Sequence, residues 1–156
     1  MNRTLMLLVS LAAAVPPSET VTPASPSRHA TLPAVSPDGR QVVFCSDRDR
    51  GDSELYLADM ATGLSRRLTY SEDQEGVPGW TGDGSRIVYT VSHGDTAELR
   101  TVAPDGSGGR TLLNRVAKGI KLSHDGRRVA WTVGSWTRNR IWVSSVDGTR
   151  ARAMTD

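Results

Sequence analysis

The chain has 156 residues, with 19 lysines and arginines against 17 aspartates and glutamates, so its formal net charge is +2. An excess this small gives no field that would attract nucleic acid. The basic residues are also spread along the chain and do not form a phosphate-binding stripe. Length predicts one folded domain, and charge excludes nucleic acid as an expected partner.

The first residues are typical of a secretory signal peptide. Asn2-Arg3 forms a short positive start, an apolar run follows, and the small residues 12–14 offer a cleavage site after Ala14, with a second site after Ala24. The apolar run of about 12 residues is shorter than the roughly 20 that a membrane span needs. We therefore expect residues 1–14 to be removed, no span in the mature chain, and export to the periplasm or beyond. The alternative is an uncleaved membrane anchor.

The segment that follows is rich in proline, serine and threonine. Five of the eight prolines lie between residues 16 and 33. Such a composition buries too little apolar surface to offset the entropy lost on ordering. We predict that residues 15–30 form a disordered tether.

A four-residue turn sequence, Ser or Thr, then any residue, then Asp-Gly, occurs three times along the rest of the chain. The turns begin at residues 36, 81 and 123, at spacings of 45 (36 to 81) and 42 (81 to 123). Aspartate can hydrogen-bond its own backbone and glycine accepts a positive φ, which is the chemistry of a hairpin corner. The predicted structural turn residues are Asp38, Gly39, Asp83, Gly84, Asp125 and Gly126.

Each turn belongs to a longer repeat with four strand-like runs, as in residues 31–35, 41–46, 54–60 and 65–69. A period of about 40–45 residues with four strands is typical of β-propeller blades. We predict an all-β fold, a partial β-propeller of about three four-stranded antiparallel blades. The propeller domain is expected over residues 31–156, with blades at about 31–70, 76–114 and 117–156.

The repeat closely resembles that of the TolB-like six-bladed β-propellers, a WD40-like or PD40 repeat. The match is best from Pro33 to Thr69 and includes the run Arg67-Leu68-Thr69. The second and third repeats depart from the pattern at the proline of the turn, which is replaced by Gly82 and His124. The resemblance implies that the chain carries half of a six-bladed ring.

Three blades are too few to close a propeller, which needs about four to eight. The outer faces of the first and last blades are therefore expected to be apolar and uncovered, which marks them as interaction surfaces. Three explanations stay open. The chain is a fragment of a longer one, or two chains pair to complete a ring, or another protein covers the half-ring.

Several residues are candidates for a buried core or a binding contact. Trp80 and Trp131 fall at repeat positions that suit core filling between blades. Trp136 falls outside that register, in a loop, and is a candidate surface contact. Cys45 is the single cysteine, so no intrachain disulfide forms, and its place in a strand predicts a buried, inert thiol.

A loop in the first repeat carries the metal candidates Asp47, Asp49 and Asp52. Calcium prefers six to eight oxygen ligands, to which this loop and Glu54 could contribute. Arg48 and Arg50 alternate with these acids and would neutralise them. We therefore expect no metal, and no other cofactor, as the default interpretation.

The sequence contains no motif of a known catalytic site. It has no Gly-x-Ser-x-Gly elbow, no His-Glu-x-x-His and no phosphate-binding Gly-x-x-x-x-Gly-Lys. Ser123, His124 and Asp125 are neighbours on one tight turn and cannot adopt triad geometry. No catalytic residue is predicted, and the resemblance implies a non-catalytic envelope scaffold that binds a protein or peptide. The alternative is the propeller portion of a prolyl-oligopeptidase-like serine peptidase, or of a propeller lyase, without its catalytic part.

Overall fold

The computed structural model describes residues 29–49, 51–94, 96–116, 119–135 and 138–155. The predicted signal peptide, the tether up to residue 28 and Trp136 lie outside these residues. The first strand begins at Ala30, one residue before the predicted start of the propeller domain. In the part that is described, no helix is long and apolar enough to cross a membrane.

The described residues form three four-stranded antiparallel sheets, each in simple sequential order. Sheet 1 contains β1 (Ala30–Val35), β2 (Gln41–Ser46), β3 (Glu54–Asp59) and β4 (Ser65–Arg67). Sheet 2 contains β5 (Gln74–Trp80), β6 (Ile87–His93), β7 (Thr96–Val102) and β8 (Arg110–Val116). Sheet 3 contains β9 (Lys121–Leu122), β10 (Arg128–Ser135), β11 (Arg138–Ser145) and β12 (Arg152–Ala153). This arrangement confirms the predicted all-β fold of a partial propeller.

A corner turn joins the first two strands of every sheet. In each, the glycine has a positive φ, 73° at Gly39, 70° at Gly84 and 62° at Gly126. Each of these glycines donates its backbone N–H to the carbonyl of the first turn residue, at 2.9 Å. The three corners therefore share one backbone geometry, as their shared sequence predicts.

The sheets pack face to face through two apolar clusters. We call the face that a sheet turns to the preceding sheet its leading face, and the opposite one its trailing face. The first cluster joins residues of sheets 1 and 2, among them Val43, Cys45, Leu55, Ile87 and Tyr89. The second joins residues of sheets 2 and 3: Val88, Leu99, Ile120, Val129 and Trp131. Because side chains alternate along a strand, sheet 2 serves both clusters with opposite faces.

The residues predicted to fill the core are buried. Trp80 and Trp131 are 7% and 6% exposed and belong to the first and second cluster respectively. The Trp80 indole N–H donates to the carbonyl of Ala34 at 3.0 Å, which ties sheet 2 to sheet 1. Cys45 is 1% exposed, and burial raises the pKa of its thiol to about 11. The prediction that this thiol is buried is confirmed.

The second and third corner turns touch through their backbones. A Cβ placed on Gly126 would lie 2.6 Å from the carbonyl oxygen of Trp80, and one placed on Gly82 would overlap the carbonyl oxygen of Asp125. The proline that the repeat pattern has at position 82 would therefore not fit. The first and second corners meet less closely, since a Cβ on Gly84 would lie 3.7 Å from Pro37.

We expect Gly126→Ala to destabilise the fold more than Gly39→Ala. Both substitutions place a Cβ at a positive φ, which costs about 1–2 kcal/mol. Only Gly126 faces neighbouring backbone, whereas nothing lies within 4 Å of the same position at Gly39. Overpacking adds about 1–3 kcal/mol. Urea unfolding of the two variants measures the difference, and equal losses would contradict the close contact between the second and third turns.

Candidate functional site

The aspartates of the corner turns are engaged within their own turns. Asp38 accepts from the Ser36 hydroxyl at 2.6 Å and from the Arg40 backbone N–H at 3.1 Å. Asp125 repeats this with the Ser123 hydroxyl at 2.5 Å and the Arg127 N–H at 3.1 Å. These bonds hold the pKa of both carboxyls below the usual range. The turn carboxylates are therefore occupied as backbone caps.

The aspartate of the second turn accepts the same two kinds of hydrogen bond and one more. Asp83 accepts from the Thr81 hydroxyl at 2.6 Å and from both the backbone N–H and the hydroxyl of Ser85. These hydrogen bonds, led by that of Thr81, lower its pKa to about 2. Asp83 is consequently ionised at any physiological pH.

A groove of about 1030 Å³ runs along the corner-turn side of the structure. Its walls include apolar side chains from all three sheets, namely Val35, Trp80, Val88, Leu112 and Val146. The second and third corner turns form its rim, with His124 on the third. An apolar floor with a polar rim is typical of a site that binds a peptide or another ligand.

Arginines supply the available positive charge of the groove. Arg86 is fixed, since its Nε donates to the Thr101 hydroxyl at 3.0 Å and its Nη2 to the carbonyl of Gly108. Arg110 and Arg127 are exposed and form no side-chain hydrogen bond or ion pair with another described residue. Because the acids of the second and third turns are already engaged, these guanidinium groups are the charged donors that the groove offers to a ligand.

The metal candidates each have a separate protein partner. Asp47 accepts from the His29 backbone N–H at 3.2 Å, and its other carboxylate oxygen lies 3.1 Å from the His29 ring. The hydroxyl of Tyr56 donates to Asp49 at 2.6 Å. Asp52 accepts from the Gln74 amide at 3.3 Å. Among the described residues, no group of three or more His, Cys, Asp or Glu is arranged to hold a metal ion.

Comparison with known proteins places the repeat in a family. The TolB β-propeller domain family, PD40, matches residues 17–156. The chain belongs to the TolB β-propeller domain family. This confirms the family that the turn and strand pattern predicted.

Two curated relatives illustrate how the domain is used. The Tol-Pal system protein TolB of Anaeromyxobacter sp. (strain K) is 34% identical over 109 residues, which is 69% of this chain and 25% of that protein. The uncharacterized peptidase YuxL of Bacillus subtilis (strain 168) is 38% identical over 68 residues, 44% of this chain and 10% of that protein. The chain thus spans a quarter or less of these relatives.

A solved structure supports the fold independently. The putative TolB from Agrobacterium tumefaciens superposes with a TM-score of 0.66 at 21% identity, over 83% of this chain and 50% of that one. The match shows that the three sheets are arranged as in a TolB propeller.

The carboxylate of Glu75 is buried between sheets 1 and 2, on the side of the propeller opposite the corner turns. Glu75, 5% exposed, accepts from the backbone N–H of Leu55 at 3.1 Å and from the hydroxyl of Thr69. The Ser71 hydroxyl donates to its second oxygen at 3.3 Å. We call Leu55, Thr69 and Glu75 the threonine–carboxylate clasp. It binds the first strand of sheet 2 to β3 of sheet 1 and to the segment that follows β4.

A second buried carboxylate lies beside the clasp. Glu54 is 1% exposed and forms an ion pair with Arg67 at 2.5 Å. Its Oε1 also accepts from the backbone N–H of Ser71 at 2.9 Å, while its Oε2 is buried without a described partner. Desolvation, and then the charge of Glu54, raise the pKa of Glu75 to about 7.

The roles of Glu54 and Glu75 do not follow from the sequence alone. Glu54 comes directly after the acidic loop of the first repeat, and Glu75 ends a run of polar residues that resembles a solvent-exposed loop. One signal is present in the sequence, since Thr69 ends the Arg-Leu-Thr run and Glu75, six residues later (69 to 75), is the second residue of the next strand. Recognising the clasp requires knowing that the two residues face the same backbone N–H.

We expect Glu75→Gln to flatten the pH dependence of stability near neutrality. The folded pKa of about 7 lies above the ordinary value of 4.5. The proton on Glu75 therefore stabilises the fold below pH 4.5, and this stabilisation is lost as pH rises through 7. Wild type should lose about 1–3 kcal/mol from this group between pH 5 and 8, and the variant should not.

Urea unfolding at pH 5, 6, 7 and 8 tests this. Glu98→Gln is the matched control, because Arg100 lowers the pKa of Glu98 and its titration lies below this range. A variant that keeps the wild-type pH slope would show that Glu75 is ionised in the folded protein throughout.

Proposed function

We propose that this chain acts as an exported, non-catalytic β-propeller scaffold that binds a protein or peptide partner in the cell envelope. The likeness to a Tol-Pal system protein supports the envelope assignment. The absence of a catalytic motif from the sequence supports a binding role. Propeller folds host many activities, so the site itself carries the rest of the proposal.

The groove at the corner turns is the observation that carries this proposal. It is large enough for an extended peptide segment, with an apolar floor for side chains and two exposed arginines, Arg110 and Arg127, beside it. Guanidinium groups pair with carboxylates through charge-assisted hydrogen bonds. The partner segment that fits best therefore combines apolar and acidic side chains.

Reversing the charge of one groove arginine tests this proposal. Peptides selected against the chain from a displayed random library should be enriched in Asp and Glu, and Arg127→Glu should weaken their binding about fivefold to tenfold, or about 1–1.4 kcal/mol. Fluorescence anisotropy with the selected peptides measures the change.

Arg40 supplies the matched control. It follows the glycine of the first corner as Arg127 follows that of the third, and each donates its backbone N–H to the turn aspartate at 3.1 Å. Arg40 does not line the groove. Arg40→Glu should therefore leave binding within about twofold, and equal losses in both variants would argue against the groove.

Export is tested by the mass of the mature chain. When the full chain is produced in a Gram-negative host, the periplasmic form should lack residues 1–14 or 1–24, the two cleavage sites that the sequence contains. Arg3→Glu should slow export by removing the positive start. Accumulation of the intact chain in the cytoplasm would contradict the assignment.

The likeness to a peptidase supports a second candidate, the propeller portion of a prolyl-oligopeptidase-like serine peptidase. A propeller lyase is the further alternative, to which His124 would contribute. Antibodies against the propeller can isolate the polypeptide that carries this sequence in cells. Labelling of that polypeptide by a fluorophosphonate probe would support the peptidase and contradict the non-catalytic scaffold.

A further inference from the structure

Two buried carboxylates beside the threonine–carboxylate clasp share a single buried arginine. Glu54 and Glu75 are 1% and 5% exposed. Arg67 pairs with Glu54, lies 3.8 Å from the exposed Asp49, and donates its Nε to the Thr69 carbonyl at 2.7 Å. Among the described residues, no ion pair joins a basic side chain to Glu75. Two ionised carboxylates would leave a buried charge without a counter-charge, so the pair is most stable when it holds one proton.

Ser71 bridges the two carboxylates. Its backbone N–H donates to Glu54 Oε1 at 2.9 Å, and its hydroxyl lies 3.3 Å from Glu75 Oε1. The same hydroxyl also lies 3.1 Å from the carbonyl of Asp73, and its one proton can be donated to only one of these acceptors at a time. Glu54 Oε2 is buried without a hydrogen-bond partner among the described residues. The cluster therefore supplies fewer donors than two ionised carboxylates require.

The neighbouring strands of both sheets add no free positive charge around Glu75. Burial, and to a smaller extent the charge of Glu75, raise the pKa of the Cys45 thiol on β2 to about 11 and that of the Tyr89 hydroxyl on β6 to about 12. Both groups are therefore neutral between pH 6 and 8. Arg100 on β7 is paired with Glu98 at 2.9 Å. Ionisation of Glu75 is consequently not compensated by these neighbours.

Strand β5 is interrupted between the clasp and the corner-turn end. Its pairing with β6 has a register shift between Gly76 and Gly79. Within this interruption Val77 has a φ of 45°, which is a strained conformation for a β-branched residue. Beyond it, the bond from the Trp80 indole to the Ala34 carbonyl holds the other end of the strand on sheet 1. The clasp end of β5 is therefore able to shift relative to β3 while the Trp80 end stays bound.

From this cluster and this interruption we propose that the clasp end of the first junction is a pH-dependent switch. It is closed while Glu54 and Glu75 hold one proton between them, and it opens locally once both are ionised. Opening separates residues 74–76 from β3, with the Trp80 end as the hinge, and exposes the Cys45 thiol to solvent.

The direction of the switch follows from linkage. Burial raises the pKa of Glu75 from 4.5 to about 7 in the closed form, and in the open form the group returns toward its ordinary value. The proton therefore favours the closed form fully below pH 4.5, and this preference is lost as pH rises through 7. These two values predict an opening equilibrium constant that rises about tenfold between pH 6 and 8.

The thiol of Cys45 measures the opening directly, because it is the single cysteine of the chain and is 1% exposed. The rate at which iodoacetamide alkylates the full chain is followed by mass spectrometry at pH 6, 7 and 8. Each rate is divided by that of the urea-unfolded chain at the same pH, which removes the change in thiolate fraction. We expect this normalised rate to rise about tenfold from pH 6 to 8.

Two substitutions test the carboxylates, and a third is their control. Glu75→Gln keeps an acceptor in the clasp and cannot ionise, so its normalised rate should change less than about twofold over this range. Glu54→Gln removes the repulsion that disfavours ionised Glu75 and should reduce the rise to about threefold or less. His93 lies 3.4 Å from Asp73, beside the segment that precedes β5, and histidine changes charge in this pH range. His93→Gln should therefore keep the tenfold rise.

A matched reporter at the second junction separates local opening from global unfolding. Thr90, 6% exposed, lies nine residues after the start of its corner turn (81 to 90), as Cys45 does (36 to 45). Ala117 takes the place of Glu75 there, since each lies six residues before the next corner turn (75 to 81 and 117 to 123). At pH 8 the variant Cys45→Ser with Thr90→Cys should be alkylated at least about tenfold more slowly, after normalisation, than wild type.

Three results would overturn the proposal. The first is a normalised rate of Cys45 that stays flat between pH 6 and 8. The second is a Glu75→Gln or Glu54→Gln variant that keeps the wild-type rise. The third is a matched reporter that is alkylated as fast as Cys45, or a Cys45 rate that rises about fivefold or more in 1 M urea, since either would mean that global unfolding exposes the thiol.

Discussion

Packing of each sheet's leading face on the trailing face of the preceding sheet is the interaction on which the rest of the structure depends. A lone four-stranded sheet has two apolar faces, and the described residues contain no helix or other layer that covers them. Sheet 2 buries both of its faces, since Tyr89 packs in the cluster with sheet 1 and Leu99 packs in the cluster with sheet 3. The stability of every blade is therefore tied to its neighbours, as in other repeat proteins.

The two junctions satisfy this constraint in different ways. The first has a side-chain hydrogen bond from Trp80 at one end and the threonine–carboxylate clasp with Glu75 at the other. The second shows no equivalent of either bond among the described residues and instead brings the backbones of Gly82 and Gly126 together. The groove is lined by Gly82 and Gly126 at this second junction and by Val35, Pro37 and Trp80 at the first. The candidate binding site therefore extends along the corner-turn end of both junctions.

Features that depend on neighbouring residues could be predicted from the sequence, and contacts between different sheets could not. The corner turns, the four strands of each repeat and the burial of Cys45, Trp80 and Trp131 all follow from short-range patterns and their spacing. Gly82 was recognised as a departure from the repeat, but its reason, the Asp125 carbonyl, belongs to a neighbouring turn. The groove likewise exists only once two sheets are assembled, so no single stretch of sequence predicts it.

The acidic residues show most clearly why composition is a poor guide to function in this fold. Aspartates cluster in the loop before β3 and recur at every corner, which suggests cation binding. In the structure the corner carboxylates cap backbone N–H groups, while Asp49 accepts from Tyr56 and Glu54 pairs with Arg67. Arg110 and Arg127 remain exposed beside the groove. The fold engages these acids with its own backbone and side chains and leaves two arginines exposed beside the groove, which is the charge distribution on which the proposed acidic peptide ligand rests.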